Sequence, residues 1–327
     1  ITYLKVTNSW VGGYYYGYTG ARIDGFNYKN ATYLVDSVLH KTDAQGQIIN
    51  SFDPNKFPNL NSISVEGDLS GITKNNKKIV KFKLTQIDGT QTDAWATIKW
   101  QGNSSLAWPK KGYRVKLFKD QELTEKYKIE LPGTGYKTSS FNLKGCFTDP
   151  TMGLNIVNSR LFAEVTKSQP NLKNSIVNKM PNYGQVNGIP VELGINGLDQ
   201  GLYVLETYHE DKLYSLNDKK VNNIALSANY DTPSTAFDAK VTTDDLKDTV
   251  FNNISPAKVD QSVADRFNEL FELANSDGKN YSVLEEKYFD VPAAIEYLAF
   301  SFAINNQDGL RKNIMYVSKN NSKWTII

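Results

Sequence analysis

"VPAAIEYLAFSFAINNQDGLRKNIMYV", residues 291–317, decides how the chain is read. Its first half is apolar on nearly every side: Ile295, Leu298, Ala299 and Phe302 make one helical stripe, and Phe300 and Ile304 extend it. Such a helix is predicted to lie in the middle of a lobe. A polar loop follows, carrying Asp308 and Asn313, and then an apolar run of β character. The turn "SKNNSK" and the run "WTII" complete a predicted hairpin.

Spacing alone carries no chemistry here, because Asp218/Asn223 and Asp248/Asn253 repeat it. The order of elements is more informative. In protein kinases a buried helix enters a loop whose aspartate accepts the substrate hydroxyl. An asparagine five residues on binds metal, and a short hairpin follows. An amide oxygen suits Mg²⁺ that is held mainly by phosphates. The same residues equally suit a turn at a helix C-terminus, where Asp-Gly and Asn are common.

Upstream, "SISVEGDL", "IVKFKLTQI", "AWATIKWQ" and "GYRVKLF" alternate or run apolar between Gly, Asn and Asp, as strands do. Residues 153–167 place Leu154, Val157, Leu161 and Val165 on one helical face. "IPVELGI" and "GLYVLET", joined by "NGLDQ", predict a hairpin. Residues 210–255 read as polar and irregular. The next helix is expected to open at Ser255 and Pro256, with Val259, Val263, Phe267, Leu270 and Phe271 inside. The first 60 residues are Tyr/Gly-rich ("SWVGGYYYGYTGARIDGFNY") and read as a β-rich module, with "ATYLVDSVLH" and "QIINSF" as strands. Its tyrosines could half-bury, stack on sugars or pack on a partner. "DPNKFPNL" reads as a linker.

The chain has 327 residues, of which 40% are hydrophobic, enough for a substantial core in one large or two moderate domains. Its 37 basic and 35 acidic side chains nearly balance, without a Lys/Arg run, so no nucleic-acid partner is expected. No apolar run reaches about 18 residues, so no membrane insertion is expected. No leader is visible, and "KWTII" closes the sequence inside a predicted strand, as in a piece of a longer protein. Cys146 is the single cysteine, which excludes a disulfide framework and a cysteine-based zinc site; it reads as a small core residue. His40 and His209 are the only histidines, leaving little for hydrolase chemistry, although "YHED" at 208–211 could seat a metal or be plain surface.

"IKWQGNSSLAWPKKGYRVKLFKD", residues 98–120, runs from a strand through Gly-Asn-Ser-Ser into a basic strand. Small residues let backbone N–H groups approach phosphate oxygens, and a following lysine can neutralise them. Lys116 in "YRVKL" has the surroundings of a strand-borne phosphate lysine, or of a solvated lysine on a polar face.

The stretch 101–120 resembles the signature of the CotH family, the atypical kinases of the spore coat protein H type. "SFNLKGCFTDPTMGLNIVNSRLFAEV", "VELGINGLDQGLYVLE", the quoted 290–317 region and "KWTII" resemble the same family in the same order. The resemblance covers roughly residues 62–327. Gln101, where many members carry Arg, together with "YGQVNGIPVELGING" and "KNIMYV…KW", is similar to versions in tail or baseplate proteins of phages that infect Gram-positive bacteria.

The resemblance implies an α+β, two-lobed atypical-kinase-like fold: a module or linker at 1–60, an N-terminal lobe at 61–207 and a C-terminal lobe at 208–327. It implies ATP with Mg²⁺ or Mn²⁺ as cofactors and protein serine as substrate. Asp308 would be catalytic and Asn313 a metal ligand. Asn103, Ser104 and Ser105 would form the phosphate turn, and Lys116 or Lys111 would contact phosphate. Glu164 would pair with that lysine. Glu206 would end the hairpin at the hinge, as a structural or nucleotide-facing acid. Asp149 matches a family aspartate or caps the following helix. The sequence stops before the aspartates that the family carries next, so weak or no catalysis is expected of residues 1–327. The expected role is then a structural part of a phage tail or baseplate. Its partners would be other tail subunits, the host cell surface or a second copy of the chain. Assembly would take place in the bacterial cytoplasm. The alternative is an active spore-coat kinase.

Overall fold

The computed structural model describes residues 60–228, 239–247, 250–276, 278, 280–310 and 313–327 in full, with the backbone of four short strands nearer the start. These are β1 (Tyr14–Tyr15), β2 (Thr32–Val35), β3 (Val38–Thr42) and β4 (Ile48–Phe52), which form one sheet in that order. "ATYLVDSVLH" is thus a hairpin of β2 and β3, and "QIINSF" is a strand. Most of the Tyr/Gly-rich segment and the "DPNKFPNL" linker lie outside the described residues.

Seven strands follow: β5 (Asn61–Glu66), β6 (Lys78–Thr85), β7 (Gln91–Gln101), β8 (Gly112–Phe118), β9 (Ser140–Lys144), β10 (Gly188–Ile195) and β11 (Leu198–Thr207). They close a barrel in the order β10-β11-β9-β8-β7-β6-β5. Closure comes from the parallel pairing of β10 with β5, Val191 opposite Asn61 and Ile195 opposite Val65. Successive side chains on a strand point to opposite faces. Val115, Leu117, Phe141, Leu143 and Leu205 are fully buried, and they alternate with Arg114, Lys116, Asn142, Lys144 and Glu206. The first set therefore faces the barrel interior and the second its outer face.

The chain forms two compact units: Ile1–Glu66 with Lys83–Asp93 and Val191–Gly201, and Gly67–Phe82 with Ala94–Pro190 and Leu202–Ile327. These limits differ from the expected boundaries at 60 and 207. The second unit contains every residue of the site described below.

Helix α1 (Leu154–Ser168) matches the expected position but not the expected face. Ile156, Ser159, Phe162, Ala163 and Thr166 are buried, whereas Leu154, Val157 and Leu161 are exposed. Polar anchors set the rotation. Arg160 Nε donates to Asn187 Oδ1 at 2.8 Å and its Nη2 to the Gly188 carbonyl at 2.6 Å, and Phe162 packs edge-on against Tyr297 and Phe300.

Residues 210–228 and 250–255 are more regular than their polarity suggests. They hold β12 (Asn223–Ala228) and β13 (Phe251–Ser255), which join β14 (Met315–Lys319) and β15 (Thr325–Ile326) in a sheet ordered β13-β12-β14-β15. The expected hairpin of β14 and β15 is present and antiparallel. Ser255 ends β13, so it does not open a helix. Helix α2 (Gln261–Ala274) starts at Asp260, whose Oδ1 accepts from the Ser262 amide at 3.0 Å. Phe267 of α2 meets Phe251, Tyr316 and Trp324 edge-on at 5.0–5.7 Å, the aromatic centre of this sheet-and-helix layer. A short α3 (Tyr281–Val283) leads to α4 (Val291–Ala303). Helix α4 buries Ala293, Ala294, Tyr297 and Ser301. The expected inner stripe of Ile295, Leu298 and Phe302 is exposed, Phe302 by 70%. The buried face is the opposite one, where Ala293, Ala294 and Ser301 allow close packing and Tyr297 reaches the Gly309 carbonyl. The whole is of mixed α+β class.

Candidate functional site

Glu206 closes β11 with its side chain on the outer barrel face, 2% exposed. A carboxylate in that position needs donors, because an unpaired buried charge is costly. Three side chains supply them. Asn155 Nδ2, from the first turn of α1, donates to Oε2 at 2.5 Å. Asn142 Nδ2 donates to Oε1 at 3.4 Å, and Lys144 Nζ stands 3.6 Å from the same oxygen. Asn142 and Lys144 are two apart on β9, so one strand presents both to the same acid. Gly188 lets β10 approach here, since a Cβ on it would lie 2.1 Å from the Leu205 carbonyl oxygen.

Lys144 and Asn155 also form one wall of a cleft of about 310 Å³. The Gly-Asn-Ser-Ser turn contributes Ser104 and Ser105 to the lining, which also includes Gln101, Lys110, Cys146 and the Trp108 and Phe147 rings. Gly102 makes that turn possible: its φ is +129°, and a Cβ would fall 2.0 Å from Ser105 Oγ. Lys111 fixes the far end of the turn, with Nζ donating to the Leu106 and Trp108 carbonyls at 2.6 Å each. Asn103 accepts from Lys74 Nζ. Lys110 Nζ donates to the Leu202 carbonyl and lies 4.5 Å from the centre of the Tyr203 ring.

The expected site residues fall into separate groups. Ser104 and Ser105 line the cleft, and Glu206 stands behind it. Lys116 lies on the outer face of β8, where burial and the nearby cations Arg114, Lys126, Lys77 and Lys99 push its ammonium below the ordinary lysine range. Glu164 is not its partner: the side chain is exposed on α1 and pairs with Lys167 at 3.6 Å. The lysine beside the buried acid Glu206 is Lys144. It stands in "NLK", a stretch whose Asn-x-Lys spacing carried the signal, since residues two apart share a strand face.

Asp308 and Asn313 lie in a second place, and neither lines the cleft. Their loop is pinned at both ends. Tyr297 Oη donates to the Gly309 carbonyl at 2.7 Å, and the Gly309 amide donates to Asn306 Oδ1 at 3.2 Å. The Asn313 amide donates to the Ala228 carbonyl at 2.9 Å, with Asn313 at φ 60°. Both side chains are on exposed positions. Helix α1 connects the two places, since Asn155 holds Glu206 and Phe162 packs on Tyr297.

Asp149 caps α1. Desolvation opposes its charge, but bonds from the Thr151 hydroxyl and the Leu154, Thr151 and Gly153 amides outweigh this and hold it below the usual carboxylate range. Burial pushes the Cys146 thiol up, with Glu206 and Asp149 adding to the shift. Among the described residues, no group of three or more His, Cys, Asp or Glu side chains is placed to hold a metal ion, "YHED" included. No helix among them is long and apolar enough to cross a membrane.

Residues 98–327 match the model of a family described as CotH kinase protein. No curated protein matches the chain.

Proposed function

The chain belongs to the CotH kinase protein family, and on that premise we propose that it binds ATP in the Ser104–Ser105–Lys144 cleft and phosphorylates protein serine. The observation that carries this reading is the buried Glu206 pairing with Lys144, at the wall of a cleft faced by two hydroxyls and a second lysine. Fixed donors of this kind suit phosphate oxygens. The lining fits a polyphosphate: Lys110 and Lys144 supply charge, and Ser104, Ser105 and Asn155 supply neutral donors. Mg²⁺ needs few protein ligands when phosphates complete its shell, and Asn313 is the oxygen donor that the family resemblance assigns to it. Bound ATP with Mg²⁺ would supply the phosphoryl group. The protein's part is to orient the phosphates through Lys144, to neutralise them with Lys110, and to take the serine hydroxyl proton on the Asp308 carboxylate. In this reading the barrel and the helical part are the two lobes of an atypical kinase.

Transfer of the terminal phosphate of ATP to serine, on the full natural protein or an added acceptor, tests the proposal. Mg²⁺-dependent incorporation that disappears in Asp308→Asn, with ATP binding retained, is expected. Transfer undiminished in that variant, or none by the full protein, contradicts it.

A second reading has its own support. The exposed Leu154, Val157 and Leu161 on α1, and Ile295, Leu298 and Phe302 on α4, are apolar surface of the kind that subunit contacts cover. This favours a structural part of a phage tail or baseplate, with the kinase fold kept as a scaffold. Assembly of the protein into tail particles with no loss on Asp308→Asn would support it.

A further inference from the structure

The cleft carries one feature that phosphate binding does not use. Trp108 and Phe147 stack on each other at its rim, with centroids 5.4 Å apart and planes 24° from parallel. Both rings stay about half exposed, at 44% and 49%, and both line the cleft. Trp108 is held in place through its backbone, whose carbonyl accepts from Lys111 Nζ at 2.6 Å. Two large rings left open beside two lysines form a rim suited to a ligand with both a flat apolar part and an anionic part.

We infer that Trp108 and Phe147 form the base-stacking platform of the nucleotide site. The inference rests on the phosphate reading above and specifies where the rest of the nucleotide lies. Volume and geometry support it. At about 310 Å³ the cleft is at the small end of small-molecule sites, so it holds the phosphates and leaves the base at the open rim. Rings centred 5.4 Å apart leave no space for a third between them, because each stacked layer needs about 3.5 Å. The base therefore lies on the outer face of the pair. Aromatic stacking tolerates any base, so this site distinguishes nucleotides from inorganic polyphosphate more than one base from another.

The test compares ATP with inorganic triphosphate, each with Mg²⁺, by calorimetry on the wild type, Trp108→Ala, Phe147→Ala and Trp108→Tyr. Alkylation of Cys146, the single cysteine and a lining residue, reports occupancy of this cleft. Because the thiol is pushed up, alkylation is run at alkaline pH. In the wild type, ATP is expected to bind about tenfold more tightly than triphosphate and to protect Cys146. Either alanine variant should bring ATP down to the triphosphate level and leave triphosphate itself unchanged, while Trp108→Tyr keeps the preference. Equal affinities in the wild type, a preference that survives both alanine variants, or ATP binding that leaves Cys146 reactive would overturn the platform while leaving phosphate binding in place. Failure of both ligands to bind would overturn the phosphate reading, and the platform with it.

Discussion

Asn155 Nδ2 donates to Glu206 Oε2 at 2.5 Å, which ties the first turn of α1 to the end of β11. The same carboxylate holds Lys144 on the cleft wall. Glu206 therefore links the barrel, the helix and the lysine through one buried side chain, and the shape of the cleft depends on it.

Removing one partner of that pair should cost more than removing both. Lys144→Met leaves the Glu206 charge to two amides alone and is expected to destabilise the protein by about 3 kcal/mol. Adding Glu206→Gln should recover most of the loss, measured by urea unfolding as a double-mutant cycle. Additive losses would show that the two side chains do not interact.

Gly102→Ala places a Cβ 2.0 Å from Ser105 Oγ at a backbone φ of +129°. Strain of about 1–3 kcal/mol is expected. The change should weaken triphosphate binding by calorimetry while leaving the far-ultraviolet circular dichroism unchanged.

Acid should weaken the fold through His209. Burial, aided by the Lys144 and Arg114 cations, pushes this imidazole down to about 4, and its Nδ1 lies 2.7 Å from Tyr214 Oη. The unfolded chain binds a proton near pH 6.5 and the folded one only near 4. The contribution of His209 is thus complete above pH 6.5 and is lost as the pH falls toward 4. His209→Gln should flatten the thermal-stability profile across that window, and an unchanged slope would contradict the assignment.

Phe267 contacts Phe251, Tyr316 and Trp324 at once. Phe267→Ala should cost about 3–5 kcal/mol, read as a lowered denaturation midpoint. An exposed ring such as Phe302 should cost far less when truncated.

Strand positions were legible because alternation is local: β5 to β8, the β10–β11 hairpin and the β14–β15 hairpin follow from patterns within about ten residues. Helix faces were not legible in the same way. In α1 and α4 the apolar stripe points outward, because Arg160, Asn155 and Tyr297 make long-range polar contacts that set the rotation. The sequence displays such residues without their partners. Strands β12 and β13 do not stand out in the sequence for a similar reason, since Asn223 and Ser255 are polar yet buried, with the Ser255 Oγ bonded to the Asn223 carbonyl. At the site, the Gly-Asn-Ser-Ser turn stood out by composition. Lys144 is not marked by its neighbours as a site lysine, because its acid, Glu206, is 62 residues away and meets it only through the register of β9 with β11.

The most direct test of the cleft is calorimetry of Mg–ATP on the wild type, Lys110→Met and the double variant Ser104→Ala/Ser105→Ala. Saturable binding that weakens about tenfold in Lys110→Met, and further in the serine variant, is predicted. No binding at millimolar ATP, or binding indifferent to both changes, would contradict the account.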